Sequence, residues 1–312
     1  MTDGPILVTG IGGLIGAAVL RRFVADGLPV VAMDRAPPPG LDLDRMGVPF
    51  LPHDLPDPQR WHEAIVRFGV RRVVHAGSIS GPMLLGDNPA RICDINLGGL
   101  MGLLDAARTH RLGRIVWFSS IMAYGERGDL VPVSEDTPLR PHTVYGATKA
   151  AGEALVHAYH AEQGVDAVAL RVASCYGPGR TTACLIRTLV EDGLAGRPTP
   201  VHPAPGRSRQ HIFVGDVVTA IRAALDTPSL PRRAYNIGPG RTQTIEEIVA
   251  EVGQAVPGVR LALDPQGLAW NTFGLGALSI DAASRDLGFA PSTSIAAGAV
   301  ATRDWVQQRG AA

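Results

Sequence analysis

Apolar positions along the chain fall into short continuous runs separated by stretches with helical spacing. Ile6 to Val8 reads as a buried strand. Leu14 to Phe23 then repeats at helical spacing, with Leu14, Ala17, Ala18, Leu20 and Phe23 on one side. Pro29 to Met33 and Val48 to Leu51 read as two more strands. Pro58 to Phe68 follows as a helix with Trp61, Ile65 and Phe68 inward, then Val70 to His75 as a fourth strand. Asn88 to His110 predicts one long helix and Arg114 to Phe118 a fifth strand. Val144 to Glu162 predicts a second long helix and Asp166 to Val172 a sixth strand. Strands buried on both faces read as unbroken apolar runs. Their alternation with helices predicts an α/β fold, a doubly wound and mainly parallel sheet of the Rossmann type.

The pattern loosens after Ser174. Thr181 to Ala195 predicts a helix, Arg197 to Arg209 a loop rich in Pro and Gly, and Ile212 to Val214 a short strand. Gly215 to Leu225 reads as a helix and Tyr235 to Ile237 as a strand. Thr244-Ile-Glu-Glu247 is a capping box that opens a helix, and Ser294 to Gln308 is a last one. The expected organisation is a large domain over 1–174, to which segments near 210–238 return, and a smaller C-terminal lobe over 175–312.

Chemistry first shows between the first strand and the first helix. Gly10, Gly13 and Gly16 recur every three residues there. Strand, glycine turn and helix in that order form the phosphate-cradling unit of a dinucleotide site, with helix N–H groups facing the anion. The second strand ends in Asp34, near the offset expected for a ribose-binding acid. A carboxylate there accepts from the ribose hydroxyls and repels a 2′-phosphate, so NAD is expected rather than NADP. Arg35 follows directly as a possible phosphate contact. Asp54, after the third strand, suits either an adenine amino group or a turn. The loop from Ala76 to Pro82 sits at the carboxyl edge of the sheet, where doubly wound folds bind ligands. Asn96 falls inside a helix, where it is either satisfied in place or holds the chain near the site.

Tyr145 and Lys149 stand at i and i+4 on one helix face, after a strand that ends in Ser119-Ser120. A tyrosine hydroxyl titrates near ~10. An adjacent ammonium favours its phenolate, which can then take a proton from an alcohol. Ser120 would donate to the developing carbonyl oxygen, and Lys149 would also hold the nicotinamide ribose.

With these residues the chain resembles an extended short-chain dehydrogenase/reductase of the NAD-dependent epimerase/dehydratase family. The resemblance runs through Thr9-Gly10-Ile-Gly12-Gly13-Leu-Ile-Gly16, Ser119-Ser120 with Tyr124-Gly125, and Tyr145-xxx-Lys149. It continues through Leu170-Arg171, Tyr176-Gly177-Pro178, Arg209 before Val214-Gly-Asp216, and Tyr235-Asn236-Ile237-Gly238. It implies that Leu14, Ile15, Asp54, Leu55, Ala76 and Asn96 line the cofactor. It also implies a sugar or nucleotide-sugar substrate touching Ser80, Ser120, Ser174 and Arg209, the last of them in the smaller lobe. The two long helices would pair with their copies in a homodimer's four-helix bundle.

Departures from the family pattern narrow the reaction. Dehydratases and decarboxylases of the family carry an acid just after the strand's serine or threonine, and fucose-synthase-like members a cysteine. Here Ile121 and Met122 follow Ser120. Alcohol–ketone redox remains, run once by a dehydrogenase or out and back by an epimerase. NAD-sensing regulators of this fold typically lose the Tyr–Lys pair, which this chain keeps. Ser174 stands where nucleotide-sugar enzymes usually carry a substrate-binding Asn, and the segment from Ser174 to Arg209 is short. No arginine occurs between Arg260 and Arg285, where a second diphosphate ligand is expected. Arg180 or Arg207 would have to replace it. Trp270, Asn271, Thr272 and Phe273 suit a smaller, less charged ligand, so a free sugar or sugar acid is the alternative substrate.

Composition removes other classes. Lys plus Arg and Asp plus Glu number 29 each, which gives no field for nucleic acid or an anionic membrane. No apolar run reaches about 18 residues and no basic leader precedes an apolar one, so a soluble cytoplasmic protein is expected. Three cysteines, Cys93, Cys175 and Cys184, suit neither a disulfide framework nor zinc, and the His157/His160 pair has no companion ligands, so no metal is expected.

Overall fold

The structure is a computed structural model that describes residues 4–81, 83–204, 208–270 and 274–310. Strand β1 (Ile6–Thr9) leads into helix α1 (Leu14–Ala25), followed by β2 (Val30–Asp34), β3 (Phe50–Pro52), α2 (Gln59–Phe68) and β4 (Arg72–His75). Next come α3 (Pro89–Cys93), a π-turn at Asp94–Gly98, α4 (Gly99–His110), β5 (Ile115–Ser120) and a 3₁₀ turn at Ile121–Ala123. Helix α5 (Val144–Gln163) is followed by β6 (Ala167–Val172), β7 (Ser174–Tyr176), α6 (Leu185–Leu194), β8 (Thr199–Val201) and β9 (His211–Phe213). The chain continues through α7 (Val214–Asp226), β10 (Ala234–Ile237), α8 (Ile245–Ala255), β11 (Leu261–Leu263), α9 (Asp281–Leu287) and α10 (Ile295–Gly310).

Seven parallel strands form the main sheet in the order β10-β6-β5-β4-β1-β2-β3. Every residue of β1, β5 and β6 is buried, as the unbroken apolar runs require. One face packs on α1 and α7, the other on α2, α4 and α5. Strand order reverses between β1 and β4, so the loops after these strands diverge and open a crevice at their carboxyl ends. Thr9 and His75 are register partners at that edge, and the Thr9 hydroxyl shares a hydrogen bond of 2.8 Å with His75 Nδ1. A separate apolar cluster joins α6, α8 and α10. Beside it lie two small sheets, β7 with β9 and β8 with β11.

Local signals explain several boundaries. Thr143 caps α5 by accepting from Gly146 N at 3.0 Å, and Gly164 ends that helix in the left-handed region. Thr244 and Glu247 form the expected capping box of α8.

The structure departs from the sequence reading in three places. The predicted helix from Asn88 to His110 runs on without a break but contains a π-turn at Asp94–Gly98 that its spacing does not show. Thr181 to Cys184 is not helical, and α6 begins only at Leu185. Strand β8 runs through the stretch read as a loop, where Thr199 pairs in register with Leu261. Residues 271–273 and Arg207, singled out above, lie outside the described residues. No helix of the described residues is long and apolar enough to cross a membrane.

Candidate active site

The crevice opens into a cavity of about 940 Å³ that runs from the glycine turn to β7, β9 and Trp270. This is the upper end of the size range for small-molecule sites, about 300–1,000 Å³. Gly10 has φ +67°, and an added Cβ would lie 2.6 Å from the Ala76 carbonyl oxygen. A Cβ on Gly16 would lie 2.2 Å from the Gly10 carbonyl oxygen. These glycines let the turn, α1 and the loop after β4 meet closely. No side chain caps α1 and no acid occupies its first turn, so its N-terminus is open to an anion. Gly13, Leu14, Ile15 and Gly16 line the cavity there.

At the end of β2, the Asp34 carboxylate accepts from Gly12 N at 2.9 Å and Arg35 N at 2.7 Å. Asp34 and Arg35 both line the cavity, as do Asp54, Leu55 and Ala76. Asp54 pairs with Arg91 at 3.2 Å, a partner that strand-end spacing alone does not suggest. A bare helix N-terminus with a fixed carboxylate beside it fits the diphosphate and ribose of a dinucleotide.

Asn96 is buried and is not among the residues that line the cavity. Its side chain accepts from Ile79 N at 2.8 Å and donates to Ile79 O at 3.2 Å and Thr148 Oγ1 at 3.0 Å. The π-turn carries it, and it ties the loop bearing Ser80 to α5.

Three consecutive residues of β5 bond to three successive turns of α5. Phe118 O accepts from Lys149 Nζ at 2.8 Å. Ser119 Oγ donates to Glu153 Oε1. Ser120 shares a hydrogen bond with Tyr145. Ser120 Oγ also accepts from Met122 N at 3.1 Å, which leaves its proton free to donate. Behind this row Arg171 donates to both Glu153 oxygens, with the closest contact 2.5 Å, and to Tyr124 Oη at 2.7 Å. Tyr124 Oη donates in turn to Asn236 Oδ1 at 2.7 Å.

Lys149 differs from its expected role in one respect. It is completely enclosed, its Nζ lies 4.9 Å from the Trp117 ring centroid, and burial lowers its pKa to about 7. Burial raises the Tyr145 hydroxyl; the Ser120 hydrogen bond and the charge of Arg180 act against that rise, while Lys149 is not among the groups that do. Sequence spacing places the pair on one face but cannot reveal the burial that lowers the Lys149 pKa.

Toward the smaller lobe, Ser80, Ser174 and Arg209 line the same cavity. Arg209 donates to Ser174 Oγ at 2.9 Å and to the Trp270 carbonyl. His211 escaped sequence reading, Ser78, which accepts from Lys149 Nζ at 3.4 Å, entered it only as part of the Ala76–Pro82 loop, and Arg180 only as a substitute for a missing arginine. None of these three sits in a helix-face pair or a glycine motif that would mark it. The cysteines are unpaired, and the described residues hold no cluster of three or more metal-binding side chains.

Burial has a pH consequence. His75 and His211 are both lowered from 6.5 to about 3, chiefly by burial, then by nearby positive charge from Lys149 at His75 and from Arg209 and Arg180 at His211. Below 6.5 the unfolded chain takes up protons that the folded chain refuses. Stability is therefore expected to fall as pH drops from 6.5 toward 3, by about 1.4 kcal/mol per pH unit for each histidine. Denaturant midpoints measured across this range test it, and His211→Gln should flatten the slope; an unchanged slope contradicts the assignment.

A parallel sheet of this order, with a dinucleotide crevice and a Ser-Tyr-Lys row at its edge, defines a hydride-transfer fold. Residues 6–238 match the NAD dependent epimerase/dehydratase family, and the chain belongs to it. Its cofactor is NAD. A dTDP-glucose 4,6-dehydratase of Streptomyces niveus is 30% identical over 96% of this chain and 92% of its own length. A UDP-glucose 4-epimerase of Mycolicibacterium smegmatis is 28% identical over 80% of this chain and 82% of its own. The crystal structure of the Thermus thermophilus UDP-glucose 4-epimerase in complex with NAD superposes with a TM-score of 0.84 at 28% identity, covering 99% of this chain and 100% of that one.

Proposed function

We propose that this chain is a nucleotide-sugar epimerase that works by NAD-dependent hydride transfer at a secondary alcohol. The observation that carries the reading is the row of Ser120, Tyr145 and Lys149 between the dinucleotide crevice and the Ser174–Arg209 end of the cavity. Gly10, Gly13, Leu14, Ile15 and Gly16 would hold the diphosphate of NAD, Asp34 its adenosine ribose, and Lys149 its nicotinamide ribose. When bound, NAD supplies a reversible hydride acceptor.

Tyr145 as its phenolate, the form that the Ser120 hydrogen bond and the Arg180 charge favour, takes the alcohol proton, and the phenol so formed returns it. The Ser120 hydroxyl, which shares a hydrogen bond with Tyr145, donates to the same substrate oxygen and stabilises charge that develops there. Lys149, fixed by Phe118 O and Ser78, holds its end of the cofactor in register with Tyr145. Elimination needs a further acid, and no carboxyl group follows Ser120; the side chains there are Ile121 and Met122, both on the cavity wall. The reading is therefore epimerisation, although dehydratases stand among the relatives.

Ser174 in place of the usual Asn and the arginine-free stretch after Arg260 favour a second reading, net dehydrogenation of a free sugar or sugar acid. Redox balance separates the two. The purified protein, incubated with UDP- and dTDP-sugars, free sugars and aldonates, is followed by NADH absorbance and product stereochemistry. Inverted product without NADH supports the epimerase. NADH accumulating with a free sugar or aldonate, while nucleotide sugars give no product, replaces it by the dehydrogenase.

Asp34 should also enforce cofactor choice by like-charge repulsion of a 2′-phosphate. Asp34→Ala is expected to narrow the preference for NAD over NADP; equal affinities in the unmodified protein would contradict this. We also place the protein in the cytoplasm as a homodimer through α4 and α5, which lie side by side with Met101 exposed on α4. A sizing measurement tests the dimer.

A further inference from the structure

The cavity is electrostatically uneven. Among its described lining residues the only carboxylates are Asp34 and Asp54, both at the adenosine end. The opposite end carries Arg180 and Arg209, and neither has a carboxylate partner among the described residues. Arg180 donates to the Cys175 and Ala183 carbonyls, Arg209 to Ser174 Oγ and the Trp270 carbonyl. Two polar atoms here are buried with no hydrogen-bond partner, Arg180 Nε and His211 Nδ1. Such groups are costly to leave unpaired in a protein interior. In a chain whose formal charges balance overall, two arginines unmatched by acids in one cleft call for an anionic ligand.

Arg180 lies between the two ends of the substrate half. Its charge is felt at Tyr145 on one side and at Arg209 and His211 on the other. Its backbone is fixed from two sides: its N–H donates to Gly177 O at 3.3 Å, and its carbonyl accepts from Arg187 Nη1 at 2.6 Å. Ser174 and His211 are cross-strand partners of β7 and β9, so they share the same short platform.

We infer that Arg180 is a second anion-binding residue of this cleft, reading a negatively charged oxygen group of the substrate between Tyr145 and Arg209. The inference rests on the reading that a sugar-type substrate occupies this half of the cavity. The charged group is a phosphate of a diphosphate link or a carboxylate on the sugar itself. Both offer paired oxygens to a guanidinium. In the first case Arg180 takes the place of the arginine absent between Arg260 and Arg285.

The test uses the full chain loaded with NAD, as wild type, Arg180→Gln and Arg180→Lys. Calorimetric titrations with UDP, dTDP, D-glucuronate and D-galacturonate are set beside titrations comparing UDP-glucose with UDP-glucuronate. Arg180→Gln is expected to weaken an anionic ligand about 10-fold or more, with NAD affinity unchanged and partial recovery in Arg180→Lys. Loss on UDP and dTDP identifies the phosphate. Loss confined to uronate-bearing ligands identifies the carboxylate. If Arg180→Gln no longer holds NAD, the lysine variant decides: geometry lost with charge kept still weakens a bidentate anion. The inference is overturned if the variants bind every ligand as wild type does, or if wild type binds none at millimolar concentration. A wild type that binds these anions through Arg180 but turns over no sugar overturns the hydride-transfer reading and leaves the inference standing.

Discussion

Replacing Tyr145 with phenylalanine is expected to cut turnover by about 100- to 10,000-fold, the range typical of a lost general acid–base group. The ring stays, so Lys149 keeps its neighbour at 5.6 Å from the centroid and its bond to Phe118 O. NAD affinity should therefore change little. Only the Oη atom is removed, and with it the proton acceptor and the hydrogen bond to Ser120. Steady-state turnover and an NAD titration on the same preparation check both halves. Near-normal turnover would take Tyr145 out of the mechanism. Lost NAD binding would show that its hydroxyl supports the cofactor rather than the chemistry.

Arg171→Leu should be the most destabilising single change in the sheet edge. The Arg171 and Glu153 side chains are 6% and 8% exposed, so the pair is almost wholly dry. Removing the guanidinium leaves the Glu153 carboxylate buried with Ser119 as its remaining donor, and strips Tyr124 of one partner. Breaking a buried pair from one side costs about 3–5 kcal/mol. The double replacement Glu153→Leu with Arg171→Leu removes both charges together and should recover part of that loss. Denaturant unfolding of the single and double variants measures the difference. A single variant as stable as the parent would mean the pair contributes nothing beyond its apolar volume.

Much of this architecture is legible in the chain before any coordinates. Ile6 to Gly16 fixes strand, turn and helix by residue type, and Tyr145 with Lys149 needs only helical spacing to share a face. Other features have no local signature. Strands β7, β8 and β11 are three residues each, too short for any periodicity to show. Thr181 to Cys184 has helix-compatible residues, but Arg180 bonds the Ala183 carbonyl within that stretch and Arg187 bonds the Arg180 carbonyl just before it, which holds it open. The lowered pKa of Lys149 comes from its burial among residues distant in sequence. Arg180 is one of many arginines until the fold surrounds it with carbonyls and no acids.

The π-turn at Asp94–Gly98 makes the spacing of this segment hard to edit. Such a turn carries one more residue than an α-helix needs and absorbs it locally, so α3 and α4 keep their rotational phase across it. Deleting a single residue there would leave a regular helix with α3 and α4 still in phase, but would remove the local bulge that carries Asn96. Asn96 would swing off Ile79 and Thr148, and the loop that carries Ser78 and Ser80 would lose its tether to α5. A homologue or designed variant one residue shorter in this helix would thus keep its phase and its apolar content while losing the shape of its ligand crevice.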